Sequence, residues 1–117
     1  HVSDDELISL YRRAWAVAST SVREGWGMTI TEAAACGTPA VATRIAGHSD
    51  GIVDGHSGLL GTIADDLVAA LTSVLSDAEL RGRLQRGALD RASQLTWDAT
   101  ALGTFQVLAA DALRRRR

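Results

Sequence analysis

Glu24-Gly25-Trp26-Gly27-Met28-Thr29-Ile30-Thr31-Glu32-Ala33-Ala34-Ala35-Cys36-Gly37-Thr38-Pro39-Ala40-Val41 is the stretch whose reading decides the fold. It opens with two glycines in a loop, passes into a run of helix formers and stops at Gly37, the expected C′ residue, before Pro39, which cannot extend a helix. A short apolar run, Ala40-Val41-Ala42-Thr43, follows and reads as a buried strand. The loop places the backbone N–H groups around Gly25 and Gly27 where a phosphate can approach them. The start of the helix adds a partial positive charge at the same place. Glu24 precedes this anion site and Glu32 stands about one turn into the helix. Two acids flanking such a site suit a ligand with both a phosphate and sugar hydroxyls. A Glu near a helix start and a Gly-x-Gly turn are also common structural features, so it is their order that carries the reading.

Outward from this stretch, strands and helices alternate. Ser3 and Glu6 form a capping box for a helix from about Asp4 to Trp15, with Leu7, Leu10, Tyr11 and Ala14 on one face. Ala16 to Ser19 reads as a strand, and Thr20 to Met28 as the glycine loop. The helix is expected to start at Thr29 or Thr31. After Ala40–Thr43 come Gly47, a short turn or helix around Asp50 to Val53, the Asp54-Gly55 turn, and a third strand over Ser57 to Leu60. Helices follow over Asp65–Leu75 and Asp77–Ala92, then a final one capped by Thr96. Alternation with short loops indicates an α/β fold with a parallel sheet, Rossmann-like. Three strands are about half of a doubly wound unit. Residues 1–60 hold the strand and helix part with the motif, and 61–117 the closing helices.

Composition narrows the function. One domain fits 117 residues. A net charge of −2 is not the basic footprint of a nucleic-acid binder. The single cysteine, Cys36, excludes an internal disulfide and is read as a small core residue. Asp4-Asp5-Glu6 is a helix start and not a metal site. Trp15 and Trp97 are read as core, and Trp26 as a residue that can wall a ligand. In a parallel sheet the ligand lies beyond the carboxyl ends of the strands. Arg44, Gly47 and His48 follow the second strand and join the candidate crevice, His48 being read first as an exposed loop residue and second as a substrate contact. His56 is read as solvent-facing. Arg114 to Arg117 form a basic terminal run, read first as a solvated tail and second as a contact for anionic lipid.

The quoted stretch closely resembles the Glu-x7-Glu signature of family 4 of the retaining glycosyltransferases. His1 to Leu7 resembles that family's segment entering the preceding helix, and Arg44 to Leu60 its next donor-site loop and strand. The resemblance implies the back half of the C-terminal, nucleotide-sugar-binding domain of a GT-B fold. It implies that Glu24 is catalytic, contacting the transferred sugar near its anomeric centre. Glu32 would bind the ribose, and the backbone of Gly27, Met28 and Thr29 the phosphates and sugar, with Gly25 and Trp26 alongside. The substrate would be a UDP- or GDP-sugar, with no cofactor and no metal. Three departures stand out. Thr20 replaces a proline, Trp26 a phenylalanine, and Ala46-Gly47-His48-Ser49-Asp50 a Gly-Gly-x-x-Glu loop. The acceptor domain and the basic residues that stabilise the leaving diphosphate are not in the chain, so the isolated chain is expected not to turn over. The protein is expected in the cytoplasm, either free there or at the inner membrane face through Arg114–Arg117. Other readings are a GT-B sugar-nucleotide epimerase or phosphorylase, and an inert nucleotide- or partner-binding module that self-associates through an exposed sheet edge.

Overall fold

The structure, a computed structural model, describes residues 1–115. Arg116 and Arg117, half of the terminal arginine run, lie outside the described residues. Among the described residues nine elements follow one another: α1 (Asp4–Arg13), β1 (Val17–Ser19), α2 (Met28–Ala35), β2 (Ala40–Thr43), α3 (Ala46–Gly51), β3 (Gly58–Gly61), α4 (Ala64–Ser76), α5 (Ala78–Gln94) and α6 (Trp97–Arg115). The three strands form one parallel sheet in the order β1-β2-β3, with Val17 opposite Ala40 and Ala40 opposite Gly58.

Side chains alternate across β2 and divide the core in two. Ala40 and Ala42 face Ile30 of α2 and Ile52, while Val41 faces Val74 of α4 and Leu84 of α5. Helices therefore cover both faces, as a parallel sheet requires. The small residues of β2 let α2 lie close, with Ala33 fully buried. Gly37 ends α2 at φ +80°, which a side chain would resist. Its N–H reaches the Ala34 carbonyl and that of Thr38 the Ala33 carbonyl, both at 2.9 Å, which completes the capping motif expected of Gly37. The expected caps at Ser3 and Thr96 are present, and Asp77, read as the first residue of its helix, is instead its N-cap and accepts from the Leu80 amide at 2.9 Å.

The structure corrects several sequence expectations. α1 stops at Arg13, not Trp15, because the chain turns extended at Ala14. Leu10 of its apolar face is 47% exposed and only Tyr11 is buried. Trp15 is exposed, with the Arg81 guanidinium 4.2 Å from its ring centroid. Trp97 is 88% exposed, since it begins α6, a helix with no buried residue. Cys36 is half-buried. The helix expected near Asp50–Val53 is α3, which begins earlier, at Ala46, and β3 runs one residue later than read. Among the described residues no helix is long and apolar enough to cross a membrane.

Candidate functional site

The site grows from the loop between β1 and α2. Gly27 is the N-cap of α2 and adopts φ +74°, a left-handed conformation that glycine enters without cost. That geometry starts the helix at Met28, one residue before the earliest start read from sequence. Gly27 has no side chain to cap the helix, so the first-turn amides of Met28 and Thr29 have no side-chain cap. Unsatisfied amides and the helix dipole together favour an anion here.

α3 braces this loop. A Cβ on Gly47 would stand 2.3 Å from the Glu24 carbonyl oxygen and 3.0 Å from the Gly25 carbonyl carbon. The two glycine-bearing loops thus meet, as the topology of the sheet predicts. Gly47 acts as a spacer that lets α3 touch the backbone bearing Glu24.

His48 is not an exposed loop residue; its relative exposure is 0%. The first turn of α3 directs its ring inward against the ends of β1 and β2. Nδ1 lies 2.8 Å from the Thr43 carbonyl oxygen, so the proton belongs on Nδ1. Nε2, 3.1 Å from Ser19 Oγ, then accepts from that hydroxyl. Thr43 Oγ1 in turn donates to the Ser21 carbonyl at 2.5 Å. This network ties both strand ends to the glycine loop. Sequence reading missed it because a histidine beside a loop glycine carries no burial signal. The available clue was the pair of hydroxyl residues, Ser19 and Thr43, at the ends of adjacent strands. Replacing His48 with Leu should keep its volume but leave Ser19 and the Thr43 carbonyl without this partner, at a cost of about 1–3 kcal/mol. Urea unfolding of the variant beside the parent measures that loss.

Three hollows surround the loop. A small one of about 160 Å³ is lined by Ser19, Ser21, Glu24, Gly27, Thr29 and His48, among others. A second, of about 520 Å³, lies against Val22, Arg23, Glu24, Gly25, Ile45 and Ala46. A third, of about 670 Å³, runs from Trp26, Met28 and Glu32 to Leu95 and Trp97. The two acids therefore do not share a hollow. Glu24 borders the first two and Glu32 the third, with the loop and the start of α2 between them. Trp26 stands beside Glu32, 38% exposed. Glu32 Oε2 accepts a hydrogen bond from the Tyr11 hydroxyl at 3.1 Å.

Arg44 is drawn elsewhere. Its guanidinium pairs with Asp54 and donates to the Leu60 carbonyl at 3.2 Å, and it lines none of these hollows. Burial pushes the Asp54 carboxyl up, but Arg44 and the Leu60 and Gly55 amides outweigh it and hold the group below its usual range. His56 is exposed, as read, with Nε2 3.1 Å from Asp90. Among the described residues no group of three His, Cys, Asp or Glu side chains is placed to hold a metal ion.

A parallel half-sheet with a bare helix start at its carboxyl edge and a carboxylate on either side defines a Rossmann-like α/β module. The family model described as glycosyl transferases group 1 matches residues 1–91, and the chain belongs to that family. It is 41% identical to a D-inositol 3-phosphate glycosyltransferase from Stackebrandtia nassauensis, over 95% of this chain and 25% of the relative. It is 40% identical to one from Acidothermus cellulolyticus, over 97% of this chain and 25% of the relative. The chain thus spans about a quarter of the length of the curated relatives it matches. Among solved structures it is similar to sucrose-phosphate synthase from Thermosynechococcus elongatus, with a TM-score of 0.70 and 28% identity. That match covers 96% of this chain and 29% of the other. Anabaena HepE, solved in complex with UDP and glucose, shares the fold at a TM-score of 0.69 and 24% identity, over 92% of this chain and 30% of that one. The fold is the Rossmann-like half-domain of a GT-B glycosyltransferase.

Proposed function

We propose that this chain forms the nucleotide-sugar-binding wall of a retaining glycosyltransferase. One observation carries the reading. The uncapped start of α2, headed by Gly27 at φ +74°, lies between two carboxylates that open into separate hollows. A nucleotide sugar has that polarity, with hydroxyls at both ends and a diphosphate between them. In this reading Glu32 accepts hydrogen bonds from the ribose, and the amides of Gly27, Met28 and Thr29 hold the diphosphate. Glu24 meets the transferred sugar near its anomeric carbon, while Gly25 and Trp26 shape the approach. Gly47 and His48 support the loop from behind. The leaving diphosphate is stabilised electrostatically by those amides, and such stabilisation usually contributes more than any other single effect in this kind of chemistry. The glycosyl group passes to an acceptor with retention, without a metal or cofactor. The names of the relatives support glycosyl transfer as the reaction of the whole protein.

The acceptor side and the basic partners of the diphosphate are supplied by residues outside this chain, so the isolated chain does not turn over. In this reading the protein works in the cytoplasm, and the basic composition of the Arg114–Arg117 run suits anionic lipid. Titration with UDP and GDP, followed by calorimetry and tryptophan fluorescence, tests the donor site. Saturable binding of one of them, weakened about tenfold or more in Glu32→Ala, is the expected result. No response to either nucleotide would sink the proposal.

A second reading rests on the sheet edge. Among the described residues β1 pairs only with β2, and Ala18 at its centre is exposed. Such an edge can accept a strand from another copy. A clean monomer by sedimentation at high concentration would count against an inert, self-associating module.

A further inference from the structure

Tyr11 is the only buried residue of α1, and its side chain does something the packing of that helix does not require. The residue is 8% exposed, yet its hydroxyl reaches across to α2 and donates to Glu32 Oε2 at 3.1 Å. The backbone around it is fixed as well. Thr38, just past the end of α2, donates through Oγ1 to the Tyr11 carbonyl at 2.5 Å. The phenol is thus anchored at its Cα end by Thr38 and at its tip by Glu32.

Glu32 itself is exposed. A glutamate on an open helix surface moves freely among its rotamers, and a ligand that needs it in one of them must overcome that entropy. One hydrogen bond from a buried donor removes much of the freedom. It also leaves capacity, since a carboxylate has about four acceptor sites and Tyr11 occupies one. Oε1 has no partner among the described residues and Glu32 borders the 670 Å³ hollow. Burial, and then the nearby Glu32 carboxylate, push the Tyr11 phenol above its usual range, so the hydroxyl stays a donor at neutral pH.

We infer that Tyr11 is a positioning residue for Glu32: its hydroxyl fixes the carboxylate in the orientation that accepts two vicinal hydroxyls, and so sets the preference of the site for ribonucleotides over 2′-deoxyribonucleotides. The inference rests on the ribose role proposed for Glu32. It assigns the selectivity to a residue that touches no ligand.

Tyr11→Phe removes the hydroxyl and keeps the ring. The test measures, on the intact protein, the affinities of UDP, GDP and their 2′-deoxy counterparts for the parent, Tyr11→Phe and Glu32→Gln. The parent should prefer the ribo form of whichever base binds. In Tyr11→Phe the ribo form should weaken about fivefold, the loss of one hydrogen bond, while the deoxy form changes by less than about twofold. Equal weakening of both forms would mark Tyr11 as merely structural and overturn the inference. Ribo preference that vanishes in Glu32→Gln but survives in Tyr11→Phe would overturn it while leaving the donor-site reading intact. Preference that survives in Glu32→Gln, or no binding by the parent, would remove the ribose role of Glu32 and the inference together.

Discussion

Replacing Gly47 with Ala is expected to destabilise the protein and to weaken nucleotide-sugar binding at the same time. The two effects share one cause. Gly47 sits within α3, where a glycine normally costs about 0.5–1 kcal/mol relative to alanine. On helix propensity alone the substitution should stabilise. The added Cβ, however, would lie 2.3 Å from the Glu24 carbonyl oxygen and 2.8 Å from its carbon. These are backbone atoms, with no flexible side chain to swing aside, so α3 or the Glu24 loop must move. Overpacking of this kind costs about 1–3 kcal/mol or more, which outweighs the propensity gain. Because the displaced atoms belong to Glu24 itself, the carboxylate moves with them. A fall in melting temperature together with at least about tenfold weaker donor binding is the expected pair of results. Gly103→Ala supplies the control. That glycine also lies in a helix, but nothing stands within 4 Å of the added Cβ, so the substitution should stabilise by about 0.5–1 kcal/mol. Should Gly47→Ala prove as stable as Gly103→Ala, the bracing of the loop by α3 is wrong.

The contrast between these glycines shows where the sequence was legible and where it was not. Gly37 declared itself, because a glycine between alanines and a proline has one common use, and it closes α2 as read. The three strands were legible from short apolar runs between turn residues, and the parallel order from their alternation with helices. Gly47 and His48 were harder. Their roles come from what lies opposite them in space: the Glu24 backbone for one, Ser19 and Thr43 for the other. Periodicity reports which face of an element is apolar and is silent about a polar side chain buried through three partners. The aromatic residues failed for the opposite reason. Trp15 and Trp97 have core-forming side chains, but among the described residues the sheet has three strands and its two small clusters are filled by Ile, Val, Leu and Ala. α6 gains no buried residue in this chain, so its apolar positions remain at the surface. The candidate site was legible as a set of residues, because Glu24, the glycines and Glu32 are local in sequence. Its division into separate hollows depends on the bulk of the loop and was not.

That division makes the two acids separable by experiment. Glu24 lines the two hollows on one side of the α2 start, and Glu32 the hollow on the other. If the diphosphate lies across the helix start, a nucleotide without its sugar reaches Glu32 but not Glu24. Glu24→Gln keeps the shape of the side chain and removes its charge. In the intact protein it should leave the affinity for the free nucleoside diphosphate within about twofold of the parent, since the lost charge lies beyond the ligand. It should lower kcat of glycosyl transfer by about a hundredfold or more, the scale seen when one group acting on the developing charge of a transition state is removed. Glu32→Gln should do the reverse, raising the dissociation constant of the nucleoside diphosphate while its effect on kcat at saturating donor stays small, because the ribose is held alike in ground and transition states. The measurement is a pair of titrations and a pair of saturation curves on the two variants. Crossed effects of this sort require the donor to run from Glu32 to Glu24 across the start of α2. If both variants weakened the free nucleotide equally, both carboxylates would be serving one end of the ligand, and the assignment of sugar to Glu24 and ribose to Glu32 would fail.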